Sequence, residues 1–290
     1  IGRILEEDGV IKSARQFKIK SRMDKNDGKY RTGVYELSPS MDMDEIMKIL
    51  MDGSQNTLRF MVPEGYTLKQ IADKFAETGN GTAEDFLNET ENGDFDFEYN
   101  DQMVDGEKRY EGFLYPDTYE IYKNESAHGI IQRMLTRFEQ VYDAAADEAT
   151  VDTSKYSVFD FVTVASLIER EVKLDEERPL VASVIYNRLN KNMKLQMCST
   201  VQYALGTPKA RLMNSDLKID SPYNTYQNAG LPAGPIASPG QASISAALHP
   251  ADTDYLYFVL TSAGSGKHNF ASTGDDFSSY REDYLASLTE

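Results

Sequence analysis

Apolar residues recur with helical spacing in two similar segments of the first third of the chain. One segment follows Asp42 and the other follows Thr67, 25 positions later, and each of these polar residues can cap the helix that comes after it. Short β-prone runs at 34–37 and 58–62 precede the two segments. The pattern therefore predicts two successive strand–helix units. Their matched apolar positions are Met43, Ile46 and Leu50 in the first and Leu68, Ile71 and Phe75 in the second.

A polar, acidic segment at 80–110 interrupts this pattern. Its first part predicts a helix at 83–88, and the Asn, Gly and Asp residues that follow predict a loop. We interpret the segment as an acidic insertion between two domains. The predicted organisation is an N-terminal region at 1–110 and a second domain at 111–290.

The second domain begins with long helices and ends in a strand. Amphipathic spacing predicts a helix at 127–146, and Ser157 opens a capping box before a second apolar helix. A third helix is predicted at 177–189, and the β-branched and aromatic run at 255–260 predicts a central strand. Helices and strands that do not alternate regularly indicate the α+β class.

The charge of the chain excludes some classes of partner. The sequence has 47 acidic and 30 basic residues among 290, for a net charge of −17. A nucleic-acid-binding protein needs a basic face, and binding to anionic lipid by charge needs basic clusters. We therefore expect no nucleic-acid partner, and solubility is the simplest explanation of the acidity.

The residues that most often hold metals or form thiol sites are few and scattered. Cys198 is the single cysteine, which excludes an internal disulfide. The nearest histidine in sequence is His249, so the sequence offers no local base to activate a thiol nucleophile. The three histidines lack the spacing of metal ligands, and no nucleotide-binding fingerprint is present. No metal and no cofactor are predicted, and no run of about 18 apolar residues predicts a membrane span.

Two glutamates on one predicted helix are the candidates for a catalytic acid. At about 100° per residue, Glu169 falls inside the apolar face of the helix, whereas Glu171 falls at its edge. Burial favours the protonated form of a carboxylic acid, which a general acid requires. Periodicity by itself therefore favours Glu169. An edge position is also suitable, because a catalytic acid must contact its substrate.

Five motifs, in order along the chain, resemble those of the YceG-like family of endolytic murein transglycosylases. They are Ser-Leu-Ile-Glu-Arg-Glu-Val at 166–172, Val-Ile-Tyr-Asn-Arg-Leu at 184–189, Leu-Gln-Met-Cys-Ser-Thr-Val at 195–201, Ser-Pro-Tyr-Asn-Thr-Tyr at 221–226 and Gly-Leu-Pro-Ala-Gly-Pro-Ile at 230–236. The resemblance implies an α+β fold with a small LysM-like α/β module followed by a mixed α+β catalytic domain. It also implies a hairpin around 268–270. The strand–helix units at the N-terminus are then either this glycan-binding module or a spacer.

The resemblance also implies the roles of individual residues. It makes Glu171 the catalytic acid and base. Glu169, inside the apolar face, is then expected to be a buried supporting carboxylate paired with Arg178 or Arg188. Asn187 is a second supporting residue, for which substrate contact and backbone capping both remain open. The substrate-binding residues expected from the resemblance and from the polar, aromatic character of the 221–226 loop are Gln196, Thr200, Tyr223, Asn224 and Tyr226.

The chain departs from the family pattern at two places near these residues. Val172 stands where the family usually has Thr, which removes a hydroxyl next to Glu171. Met197, Cys198 and Ser199 stand where many relatives have Thr-Asp-Pro. The second departure removes a carboxylate, so it disfavours any mechanism that needs a second acid at that point.

The reaction implied by the resemblance is cleavage of the glycosidic bond between N-acetylmuramic acid (MurNAc) and N-acetylglucosamine (GlcNAc), with formation of 1,6-anhydro ends. A hydrolytic muramidase that uses Glu171 with Asp175, Glu176 or Glu177 is a second hypothesis. A non-catalytic peptidoglycan-binding scaffold is a third.

The resemblance also implies where the protein acts and with what. The expected substrate is the peptidoglycan glycan strand, and cell-wall synthases are expected partners. The catalytic domain is expected outside the cytoplasm, held at the cell membrane by a single N-terminal helix that would precede Ile1.

Overall fold

The computed structural model describes residues 1–33, 35, 37–53, 57–147, 149–207, 209 and 211–288. The helices are α1 (Gly2–Glu7), α2 (Ala14–Met23), α3 (Met43–Asp52), α4 (Leu68–Ala76), α5 (Ala83–Asn92), α6 (Ala127–Ala146), α7 (Val158–Glu171), α8 (Arg178–Asn190), α9 (Cys198–Leu205), α10 (Gln241–Leu248) and α11 (Gly274–Ser287). The strands are β1 (Thr57–Met61), β2 (Thr118–Tyr122), β3 (Tyr257–Leu260) and β4 (His268–Ala271). Helices with small antiparallel sheets confirm the α+β class. In the part of the chain described, no helix combines the length and the apolar character needed to cross a membrane.

Helices α1 to α3 enclose a small core of their own. The predicted cap of α3 is confirmed, because Asp42 and Glu45 bond each other's backbone N–H groups in a capping box. The strand predicted at 34–37 includes residues 34 and 36, which lie outside the described residues. The buried members of this core are Leu5, Ile11, Phe17, Ile46, Met47 and Leu50.

The strand of the second strand–helix unit, β1, pairs with a strand that is distant in sequence, β2. β1 pairs with β2 in an antiparallel sheet that runs from Thr57 opposite Tyr122 to Met61 opposite Thr118. The two helices between them, α4 and α5, pack together, and the rings of Phe75 and Phe86 lie 5.0 Å apart. Thr67 caps α4 in the predicted capping box. The domain boundary predicted at residue 110 falls between the two paired strands.

The acidic segment 80–110 contributes to the main core. Its helix, α5, runs to Asn92 and is longer than predicted. Its charged residues face solvent, while its aromatic residues point inward and pack against α6 and one another. The buried aromatic residues of this segment are Phe86, Phe95, Phe97 and Tyr110.

Helices α6, α7, α8 and α10 form the centre of the molecule. α7 packs against both α8 and α10, and its predicted capping box between Ser157 and Asp160 is confirmed. Eight consecutive residues of α7, from 161 to 168, are buried, so solvent reaches this helix only near its ends. The half-buried carboxylates of α7 therefore lie at its two ends, Asp160 in the first turn and Glu171 at the last residue.

The C-terminal strands form a separate hairpin. β3 pairs antiparallel with β4, from Tyr257 opposite Ala271 to Leu260 opposite His268, which confirms the hairpin around 268–270. The prediction of a central strand at 255–260 is wrong, because β3 has a single strand neighbour among the described residues. Its apolar side chains pack partly against α11 instead, where the rings of Tyr257 and Phe277 stack 5.0 Å apart.

Candidate active site

Glu171 is the last residue of α7 and its side chain is half-buried. Its Oε1 accepts a hydrogen bond of 3.1 Å from the backbone N–H of Ser199, in the first turn of α9. A helix N-terminus presents free N–H groups and a partial positive charge, and both stabilise a carboxylate. The contact fixes the direction of the Glu171 side chain and leaves its second oxygen available for chemistry.

Glu169 has the opposite environment. Its side chain is 8% exposed, and its Oε2 accepts hydrogen bonds from Arg178 Nη1 at 3.3 Å, Ser243 Oγ at 2.8 Å and the Gly240 N–H at 3.1 Å. The predicted pairing with an arginine is confirmed for Arg178. Because one oxygen meets three donors in a buried network, Glu169 ties α7 to α8 and α10.

Arg188, the other arginine considered for Glu169, holds the loop before α9. Its guanidinium donates to the carbonyls of Leu256 at 2.6 Å, Lys194 at 3.0 Å and Leu195 at 2.9 Å. It also lies 3.4 Å from Gln196 Oε1. Gln196 is exposed and has a left-handed backbone with φ of +53°, so this loop turns sharply just before α9.

Asn187 caps backbone groups. Its Nδ2 donates to the carbonyl oxygens of Thr253 at 2.8 Å and Tyr255 at 3.0 Å, which attaches α8 to the segment leading into β3. Of the two roles left open for this residue, the structure places it in the backbone role.

Two residues predicted to contact substrate are completely buried. Thr200 and Asn224 are both 0% exposed. Thr200 Oγ1 lies 2.9 Å from Thr225 Oγ1, and Asn224 Nδ2 donates to the carbonyls of Leu217 and Ile219. The expectation of direct substrate contact does not fit this burial. Both side chains instead shape the 217–226 loop and fasten it to α9.

Tyr226 and Cys198 lie beside Glu171. The Tyr226 hydroxyl is 3.1 Å from Cys198 Sγ. Desolvation raises the pKa of the Cys198 thiol and the negative charge of Glu171 adds to this, although the bond from Tyr226 opposes it. A thiol with a raised pKa has little thiolate, so this environment does not activate Cys198 as a nucleophile. Burial also raises the pKa of Tyr226, which stays a neutral hydrogen-bonding group.

Tyr223 belongs to an aromatic pair that the sequence did not predict. Its ring lies 4.8 Å from the ring of Tyr203, on α9. The ammonium of Lys108 lies 4.4 Å from the centre of each ring, in a double cation–π contact. The pair offers a half-buried aromatic surface next to a positive charge.

Glu111 is a further carboxylate that the sequence interpretation missed. It is 4% exposed, its Oε1 accepts from the Leu68 N–H at 2.8 Å, and its Oε2 accepts from the Tyr203 hydroxyl at 2.8 Å. Desolvation raises the pKa of Glu111 to about 7, against the lowering effect of Tyr203, of the backbone N–H groups and of Lys108. The available signal was a glutamate placed directly before the aromatic run at 112–119.

A cleft of about 910 Å³ lies beside Glu111, Lys108 and Tyr203, between α4 and α5 on one side and α9 on the other. Arg170, the neighbour of Glu171, lies on its wall, together with Ser199, the donor to Glu171. Its charged and aromatic lining is Lys69, Asp73, Glu84, Glu91, Glu107, Lys108, Glu111, Arg170 and Tyr203. Among the residues described, no three histidine, cysteine or acidic side chains are grouped as metal ligands.

The carboxylates considered as a second acid are partly engaged elsewhere. Asp175 accepts from Arg178 at 3.0 Å, and Glu177 pairs with His268 through Nδ1 at 2.7 Å and the backbone N–H at 2.8 Å. Glu176 is exposed. Glu171 is therefore distinguished from them by its position at the α7–α9 junction, beside Cys198 and Tyr226.

This arrangement, with one half-exposed glutamate beside a second that is buried and paired, can be compared with known families. The sequence model of the YceG-like family matches residues 1–283. The chain belongs to the YceG-like family. The enzyme class that follows from this assignment is that of the lytic transglycosylases.

Two relatives of this YceG-like chain carry the same name. An endolytic murein transglycosylase of Bacillus subtilis is 37% identical over 302 residues, which cover all of this chain and 82% of that protein. One from Streptococcus pneumoniae is 32% identical over 95% of this chain and 54% of its own length. A crystal structure of a YceG-like protein from Listeria monocytogenes is similar with a TM-score of 0.66 at 37% identity, over 96% of this chain and 94% of that one.

Proposed function

We propose that this chain is an endolytic peptidoglycan lytic transglycosylase that cleaves the MurNAc–GlcNAc bond with Glu171 as general acid and base. The observation that carries the proposal is the contrast between two glutamates two positions apart. Glu169 is buried and paired with Arg178, whereas Glu171 is half-exposed and held by a single backbone donor, Ser199. A group that transfers a proton twice needs a free oxygen and a fixed direction, and Glu171 has both.

The proposed reaction needs one carboxyl group. Protonated Glu171 gives its proton to the glycosidic oxygen, and the C1–O bond breaks with positive charge developing at C1 of MurNAc. The resulting Glu171 carboxylate, stabilised by the Ser199 N–H, takes the proton of the C6 hydroxyl of the same sugar. That oxygen then bonds to C1, which gives the 1,6-anhydro end without water. The attack is intramolecular, so proximity supplies much of the acceleration.

The residues around Glu171 supply candidate substrate contacts. We assign these contacts to Gln196, Tyr223 and Tyr226, because they are exposed or half-buried around α9: Gln196 and Tyr226 near its start, and Tyr223 beside Tyr203. Aromatic faces pack on sugar rings, and amide and hydroxyl groups bond their substituents. Thr200 and Asn224 are assigned to holding the loops that present these contacts. Asn187 is assigned to holding the segment before β3.

The unit formed by β1, α4, α5 and β2 is proposed as the glycan-binding, LysM-like part of the molecule. The observation in favour is that α4 and α5 form one wall of the cleft whose other wall is α9. A glycan strand held there would pass close to the α7–α9 junction. The division into 1–110 and 111–290 stays a prediction, as does the alternative that the unit is a spacer.

The cellular setting is proposed from the family. The catalytic part would lie on the outer side of the cell membrane, anchored by an N-terminal helix, and would act on nascent strands beside cell-wall synthases. No nucleic-acid partner is proposed for a chain with a net charge of −17.

The test is mass spectrometry of uncrosslinked glycan strands incubated with the wild type, with Glu171→Gln and with Glu176→Gln. The control removes one exposed carboxylate five positions away. We expect the wild type and the control to give fragments one water lighter than hydrolysis products. Glu171→Gln should cleave the strands at least about a hundredfold more slowly.

Two other outcomes would replace the proposal. Reducing ends from the wild type, lost in Glu176→Gln, would identify a hydrolytic muramidase with a second carboxylate. Binding without cleavage by every variant, in a membrane-anchored form as well, would identify a non-catalytic scaffold.

A further inference from the structure

Glu111 has no part in the proposed reaction, yet it is a buried carboxylate on the wall of the cleft. Its two oxygens contact different elements. Oε1 accepts from the N–H of Leu68, the first residue of α4, and Oε2 accepts from the hydroxyl of Tyr203, on α9. The side chain thus bridges the two walls of the cleft, one from the strand–helix unit and one from the active site.

On α9, the residue that contacts Glu111 lies one turn from the residue that contacts Glu171. Tyr203 and Ser199 are four positions apart, so they lie on the same face of the helix, and both line the cleft. The Ser199 N–H is the donor to Glu171 Oε1. Ser199 and Tyr203 are about one helical turn apart in the eight-residue α9, so we expect that holding Tyr203 also holds Ser199.

We propose that Glu111 is a positioning residue that clamps α9 against α4 and thereby sets the direction of Glu171. The proposal rests on the proposed function, because it assigns Glu171 the proton transfer. Glu111 acts through α9 and contacts neither the reacting atoms nor the Glu171 side chain.

The charge of Glu111 should change the strength of this clamp. The titratable groups that face it are Tyr203 on α9, Tyr223 on the adjoining loop and Lys108 on its own segment. As a carboxylate it accepts from both donors at once, whereas the neutral acid carries a proton of its own and is a weaker acceptor. Because desolvation raises its pKa to about 7, the clamp should be tight above neutral pH and weaker below it.

The first experiment compares the rate of strand cleavage from pH 5.5 to 8.5 for the wild type, Glu111→Gln and Tyr203→Phe. Glu139→Gln is the matched control, because Glu139 also accepts a backbone N–H, from Glu98 at 2.7 Å, but lies on α6 outside the cleft lining. We expect kcat to fall about tenfold at pH 8 in both variants with KM changed less than about twofold. The difference from the wild type should close at pH 5.5, where wild-type Glu111 is protonated.

The second experiment does not depend on catalysis. Cys198, the single cysteine, is exposed in the first turn of α9, so its rate of modification by a thiol reagent reports on that turn. Glu111→Gln and Tyr203→Phe should raise this rate at pH 8 several-fold, and Glu139→Gln should not. Thermal melting verifies that each variant is folded.

Two results would overturn the inference: a loss of kcat that is equal at every pH, or thiol modification that is unchanged in both variants. If the wild type cleaves no strands, the proposed function fails, while the thiol rates still decide whether Glu111 holds α9.

Discussion

Two glutamates two positions apart on α7 have different surroundings because the helix passes from its buried stretch at 161–168 to its half-exposed end at Glu171. Glu169 lies in the last buried turn and faces Arg178 and α10, whereas Glu171 is the last helical residue, followed by Val172 in extended backbone. The same side chain chemistry therefore serves as a fixed ion pair in one case and as an accessible acid in the other.

The two carboxylate partners of Arg178 should contribute very differently to stability. Glu169 is 8% exposed and Asp175 is 79% exposed. Glu169→Gln leaves a buried guanidinium without its buried counter-charge, so we expect the free energy of unfolding to fall by about 3 kcal/mol. Asp175→Asn should cost less than about 1 kcal/mol, since solvent screens that pair. Urea unfolding measures both, and equal losses would show that the buried pair has no special role.

At the scale of elements, the candidate active site depends on how the segment at 110–115 enters the core. Gly112 has φ of +85°, and a Cβ built there would lie 2.5 Å from Pro235 Cβ. This close approach places Glu111 on the cleft side and Phe113 in the core. The glycine is therefore needed for both its backbone conformation and its lack of a side chain.

A comparison of Gly79 with Gly112 separates the effect of backbone conformation from that of a steric clash. Gly79, after α4, has φ of +77° with no atom within 4 Å of a built Cβ. Gly79→Ala should cost about 1 kcal/mol from backbone strain. Gly112→Ala adds a steric clash and should cost about 3 kcal/mol or more. Denaturant titration of both variants measures the difference, and similar losses would mean that Pro235 moves away freely.

At the scale of the whole molecule, the described residues form two hydrophobic cores, one ending at Leu50 and the other beginning at Phe60. A contact between the two parts is the exposed hydrogen bond from the Tyr122 hydroxyl to the Thr32 carbonyl, at 2.8 Å. Glu111, Glu169, Glu171 and the cleft belong to the larger part.

A chain that begins at Thr57 should therefore fold and keep the catalytic activity of the whole. Loss of the exposed Tyr122–Thr32 hydrogen bond is worth about 1 kcal/mol, which corresponds to a fall in Tm of about 2–4 °C. Loss of the packing of the Tyr122 ring beside Gly33 adds to it. Calorimetry and strand cleavage measure the two properties. Loss of the cooperative transition would show that the small core supports the main one.

Local patterns in the sequence determined several helices and the inward position of Glu169 on α7. The caps of α3, α4 and α7 follow from residues three positions apart, and α6 has the predicted bounds. The inward position of Glu169 on α7 predicts an arginine partner, either Arg178 or Arg188, and the structure pairs it with Arg178. All these interactions join residues close in sequence, where helical spacing is informative.

The tertiary structure alone decided which polar residues are accessible and which distant segments meet. Thr200 and Asn224 were predicted to contact substrate, but both are buried and bonded to residues of neighbouring loops. The pairing of β1 with β2 crosses about 60 residues, and Glu111 reaches Tyr203 over 92 positions. Periodicity shows which face of a helix or strand is apolar, whereas packing of the whole chain decides which other element covers that face.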